Sequence, residues 1–234
     1  MFNTDKLKEV LITELKLLSF RNVKINMNEL GTYYIFFAIV MAWLAGIGRY
    51  WDSPRADTWQ YLGLGSVIYI FILAFLIWII IKPLKPENWS YKNVLVFVGL
   101  TSPTGFFYAI PVERYFSLDT SQKINVWFLL LVAVWRVILF FLYLKRVAKL
   151  KSSTIFVAVF LPLTLIVTAL TMLNLEHVVF KIMAGLSENE RSSNDAAYGV
   201  LMLITTFSIM VSPILLLIYS YIIYKNHTAK KEIG

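Results

Sequence analysis

Along the chain, six mostly apolar stretches alternate with short polar, charged ones. They cover roughly residues 32–50, 60–81, 93–111, 124–144, 154–174 and 199–224. Each has about the 20 residues that a helix needs to cross the hydrocarbon core of a bilayer. No repeat of fixed period and no linker divides them, so one polytopic domain, 32–224, is expected. The pattern predicts an all-α polytopic membrane protein with six transmembrane helices.

Residues 1–31 differ from the rest. In "NTDKLKEVLITELKLLSF" (3–20), Leu7, Val10, Leu11, Leu15 and Leu18 recur at helical spacing, with Lys8, Glu9 and Lys16 away from them. Asn3 or Thr4 suits the N-cap. The spacing predicts an amphipathic helix lying on the membrane surface. A docking helix for a protein partner is the alternative.

Composition agrees with the pattern. The chain is 59% hydrophobic and 15% charged, whereas soluble domains are about 45–50% apolar and about 25% charged. Aromatic residues make up 16%, as suits side chains at lipid–water interfaces. Residues 1–30 hold no apolar core followed by a small-residue cleavage site, so no cleavable leader is expected. The absence of cysteine excludes disulfides, thiolate catalysis and Cys-based metal sites.

The net charge of +8 has a topological reading. Lys and Arg concentrate in residues 6–24, 82–92, 145–151 and 225–231, all on one side of a six-span arrangement. The positive-inside rule then places both termini, including a basic tail at 225–234, in the cytoplasm of a cell membrane. Membrane lipids are the expected partners, and nucleic acid is not. Asn88-Trp89-Ser90 and Asn226-His227-Thr228 match the glycosylation pattern, yet both fall on the predicted cytoplasmic side.

Inside the membrane, Arg136 is the most informative residue. It lies near the middle of the fourth span, where an arginine costs about 2.5–3.5 kcal/mol on insertion scales. At 100° per residue, Asn125 and Tyr143 lie about 20° from it around the helix, so Asn125, Ala133, Arg136 and Tyr143 are expected to form an inward stripe. The third span supplies polar groups at similar depth, in "TSPTGFFYAIPVER" (101–114). Pro103 lacks an N–H and clashes with the Gly99 carbonyl. A helix break is predicted there: Thr101, Ser102 and Thr104 can satisfy the freed groups locally, or the break can offer carbonyls such as that of Gly99 to Arg136. Pro162 beside Thr164, and Ser212-Pro213, suggest further breaks in the fifth and sixth spans. Ala38, Ala42 and Gly46, spaced by four, predict close helix packing inside the bundle, or contact in a homo-oligomer.

The outer rim gathers Arg49, Asp52, Glu113, Arg114, Glu176 and His177. These residues suit ion pairs closing the bundle. Acid–base chemistry by Glu113, Glu176 and His177 is the enzymatic alternative. No metal motif, GxSxG elbow or phosphate-binding glycine loop occurs, and no metal or cofactor is expected. Binding or passage of a small polar or anionic solute, or of a lipid headgroup, is the leading expectation. Arg136 would supply charge, and Thr101, Ser102, Thr104, Asn125 and Tyr143 orientation; the alternatives for Arg136 are a purely structural tie between helices through backbone carbonyls, or snorkelling to an interface. A non-catalytic membrane subunit or sensor is the main alternative.

Overall fold

The computed structural model describes residues 3–23, 25–51, 57–175 and 196–231. Every regular element among them is helical. The α-helices are α1 (Thr4–Leu18), α2 (Met27–Tyr50), α3 (Thr58–Tyr61), α4 (Leu64–Ile81), α5 (Tyr91–Leu100), α6 (Leu118–Arg146), α7 (Ser152–Met172) and α8 (Ala196–Lys231). Five segments, within α2, α4 to Leu84, α6, α7 and α8, are long and apolar enough to cross a membrane. The protein is a helical integral membrane protein.

The third predicted span is not one helix. α5 stops after ten residues, and Ser102–Ala109 winds as a 3-10 helix. Runs of 3-10 helix beyond three or four residues are uncommon. At about 1.5 and 2.0 Å per residue the two pieces together measure about 31 Å, close to the thickness of the hydrocarbon core.

The chain forms two compact units. The first comprises residues 1–82, 86–111 and 132–149. Its α2 runs parallel to α5 and the 3-10 segment along its whole length. Lys92 meets Gly31, Gly99 meets Ala38, Gly105 meets Ala45 and Ala109 meets Gly48. Gly99 is required by this approach, because a Cβ there would collide with that of Ala38. Ala38, Ala42 and Gly46 are buried. Gly46 faces Ser66 and the Gly63 carbonyl. Gly63 caps α4 at φ 65°, a left-handed conformation that favours glycine. Trp43 pins this corner by donating to the Leu62 carbonyl at 2.7 Å.

The 132–146 half of α6 runs antiparallel to α5 and the 3-10 segment. Phe97 stacks on Tyr143 with ring centroids 4.2 Å apart, and Phe107 lies against Trp135 at 6.4 Å. At the end where this part of α6 stops, the Glu87 N–H donates to the Ala148 carbonyl and the Glu87 carboxylate pairs with Lys149 at 2.6 Å. Ser90 caps α5 by accepting from the Asn93 N–H at 3.1 Å. Asn88 donates to the Val147 carbonyl at 3.5 Å. Two residues of one glycosylation-like triplet therefore have structural work.

α1 folds onto this unit, capped by the Asn3 side chain, which accepts from the Asp5 N–H at 2.8 Å. Its buried face differs from the expected stripe. Val10, Thr13, Glu14 and Leu17 are buried, whereas Leu11 and Leu15 are exposed. A specific hydrogen bond, from the Tyr34 hydroxyl to Thr13 Oγ1 at 3.3 Å, orients the helix with a polar side inward.

The second unit comprises residues 83–85, 112–131 and 150–234. α7 packs on α8, and Thr168 donates to Ser212 at 3.4 Å. The expected breaks at Pro162 and Pro213 do not occur: both prolines lie inside continuous helices. Each proline removes one N–H, and membrane helices absorb such losses through neighbouring helices and Ser/Thr side chains. Lys85 donates to the Asn226 carbonyl at 2.9 Å, and α8 continues through 225–231.

Candidate functional site

The site is built where the third span changes from α-helix to 3-10 helix. The Thr101 N–H closes α5 on the Phe97 carbonyl at 3.2 Å, and its hydroxyl donates to the Val98 carbonyl at 2.7 Å. Pro103 follows at the start of the 3-10 segment, where its missing N–H costs nothing. The Thr104 hydroxyl donates to the Thr101 carbonyl at 2.8 Å. Thr101, Ser102 and Thr104 are all buried.

Arg136 completes the arrangement. Its Nε donates to Thr104 Oγ1 at 3.0 Å. The acceptor is thus the threonine hydroxyl and not the Gly99 carbonyl, and of the two readings of the break the local one describes the Thr101 and Thr104 hydroxyls, which donate to the Val98 and Thr101 carbonyls. Thr104 passes the interaction on, accepting from the guanidinium and donating to the backbone. Such a chain polarises each of its members. Among the described residues, Ser102 Oγ has no hydrogen-bond partner.

Comparison with known protein families, curated proteins and solved structures finds no match to this chain.

A second cation stands near the first. The Arg49 guanidinium lies over the Tyr108 ring, 4.7 Å from its centroid. Arg49 and Arg136 are within electrostatic range of each other, and Tyr108 is within range of both. Trp51 holds the end of the 3-10 segment by donating to the Ala109 carbonyl at 2.9 Å. Nothing in the residue pattern marks Tyr108 as a platform for Arg49. It is one of three consecutive aromatics, and only the pitch of the 3-10 segment selects it.

The other expected residues are placed differently. Tyr143 is buried in the aromatic stack with Phe97 and Trp89. Asn125 belongs to the second unit, where it is half-buried. Ala133 is exposed, so the expected stripe does not hold as drawn. The buried face of this part of α6 runs through Val132, Leu139 and Tyr143. Phe140 and Leu144 extend it, so that Arg136 falls within the buried arc, and Ala133 lies about 60° from Arg136 around the helix. Arg114 is exposed. Asp52, Glu176 and His177 lie outside the described residues, as does the Glu113 side chain. Among the described residues no three His, Asp or Glu cluster to hold a metal.

Proposed function

We propose that this protein binds an oxyanion, carried by a small solute or a lipid headgroup, in the polar interior of its first unit, with Arg136 as the principal ligand. The observation that carries the reading is the hydrogen bond from Arg136 Nε to Thr104. It engages Nε, which leaves the two Nη groups as the donors for a ligand. Two Nη donors side by side match the two oxygens of a carboxylate or phosphate. Ser102 Oγ, two residues before Thr104, is buried without a hydrogen-bond partner among the described residues, and Arg49 adds positive potential.

The membrane arrangement proposed with this reading has six crossings. α5 with the 3-10 segment tracks α2 from Gly31 to Gly48, which supports counting it as the sixth. Six crossings put both termini on one side, and the Lys and Arg distribution supports the cytoplasmic side of a cell membrane.

The test uses the full chain in detergent or nanodiscs. Inorganic phosphate and a short-chain phosphatidylglycerol are titrated separately by calorimetry. Saturable binding of either one, lost in Arg136→Leu and retained more weakly in Arg136→Lys, is the expected result. Absence of binding by both probes, or equal binding by wild type and Arg136→Leu, overturns the reading.

A further inference from the structure

α1 lies across α2 rather than along it. The Asn3 N–H donates to the Tyr33 hydroxyl at 3.3 Å, and Thr13 meets the hydroxyl of the next residue, Tyr34. The ten residues of α1 between these contacts span about 15 Å, yet they advance only one residue along α2. The far end is held as well. Trp135 donates to the Leu18 carbonyl at 3.0 Å, and Arg146 to the Phe20 carbonyl at 2.8 Å. If α2 crosses the bilayer, α1 is therefore in its plane.

The face turned away from the bundle carries three apolar side chains among charged ones. Leu11 and Ile12 are each 41% exposed and Leu15 54%. Lys8 shares that face, and Lys16 borders it. A cleft of about 380 Å³ opens beside them, between α1 and Asn22, and Asp5 and Glu9 line it too. The same end of the first unit carries Lys82, Lys92, Lys145 and Arg146, against Glu29 and Glu87. It is a basic rim beside those apolar side chains.

We propose that the outward face of α1 is a lipid-binding surface for an anionic leaflet. Leu11 and Leu15 enter the boundary between headgroups and acyl chains, Ile12 lies at its edge toward the cleft, and Lys8 and Lys16 reach lipid phosphates. Helices of this kind bind through buried apolar area plus attraction to anionic lipid. Basic residues near the surface add to that attraction. Asp5 and Glu9 stay on the water side of the cleft. The polar contacts of Thr13 with Tyr34 keep the helix fixed to the bundle, so the surface is preformed.

The absence of cysteine makes the test direct. Leu11→Cys, Leu15→Cys and Asp5→Cys are spin-labelled singly in the full chain. Each is reconstituted into phosphatidylcholine vesicles with and without phosphatidylglycerol. The expected ratio of oxygen to nickel-chelate accessibility is several-fold higher at 11 and 15 than at 5. Phosphatidylglycerol should raise that ratio at 11 and 15, and Lys8→Gln with Lys16→Gln should remove the increase. Water accessibility at 11 and 15 equal to that at 5 overturns the proposal. Shielding of both positions from oxygen and nickel alike also overturns it, because a protein surface would then cover the face. So does a ratio that ignores phosphatidylglycerol.

Discussion

Arg136 and Thr104 form a hydrogen-bonded pair at 3.0 Å across two helical segments, thirty-two residues apart in sequence. The threonine hydroxyl is itself fixed by donating to the Thr101 carbonyl. Removing it strands a guanidinium edge and leaves the buried Thr101 carbonyl only the longer bond from the Thr104 N–H at 3.4 Å. Thr104→Val, which keeps the shape, should destabilise the protein by about 1–3 kcal/mol, the range for leaving buried partners unsatisfied. Thr104→Ser should cost less. The check is a double-mutant cycle with Arg136→Leu, read from reversible unfolding in mixed micelles. A coupling energy near zero would show that the pair contributes nothing.

The crossing of α2 and α5 makes a separate demand. Gly99→Ala places a methyl against the Ala38 methyl with no room for it. Overpacking of this kind costs about 1–3 kcal/mol. Ala38→Gly in the same chain removes the closest contact, leaving the residue-38 Cα at 3.0 Å, and should recover part of the loss. The thermal unfolding midpoint of the two single variants and the double variant tests this. A double variant less stable than Gly99→Ala alone would contradict the contact.

The long apolar runs were legible because hydrocarbon leaves the backbone few solutions, and a 20-residue segment takes the helical one. Arg136 was legible because its cost demanded a polar setting, and Pro103 with its flanking hydroxyls marked where that setting lay. The winding after Pro103 was not legible. It rests on tertiary contacts, with Gly105 opposite Ala45 and Ala109 opposite Gly48. The same limit applied to α1. Its leucines advertised one face, but Thr13 and Glu14 determine which side is inward. At Pro162 and Pro213 the residue type suggests a break, and continuous helices absorb both residues.

Trp135 gives a third prediction. Its indole N–H is donated to the Leu18 carbonyl, and its ring lies 5.8 Å from that of Phe20. Trp135→Phe keeps most of the ring contact and loses the donor. The net loss should be about 0.5–1.5 kcal/mol. It should fall on α1, so amide exchange in residues 10–20 should rise with little change in α5. Uniform acceleration across the first unit would indicate global destabilisation instead.

Glu14 makes the attachment of α1 dependent on pH. Its side chain is 2% exposed, and Oε1 has no hydrogen-bond partner among the described residues. Burial raises its pKa from 4.5 to about 8. Between those values the folded protein keeps a proton that the unfolded chain has released. Stability therefore falls as pH rises through this window and levels off above it. Glu14→Gln retains the shape of the neutral acid and has no proton to lose. The unfolding midpoints of variant and wild type should differ by a constant amount below pH 4.5. The variant's relative stability should then increase progressively up to about pH 8, where the gap stops growing. A difference that stays constant from pH 4 to 9 would mean that Glu14 titrates as a solvated carboxylate and that α1 carries no such dependence.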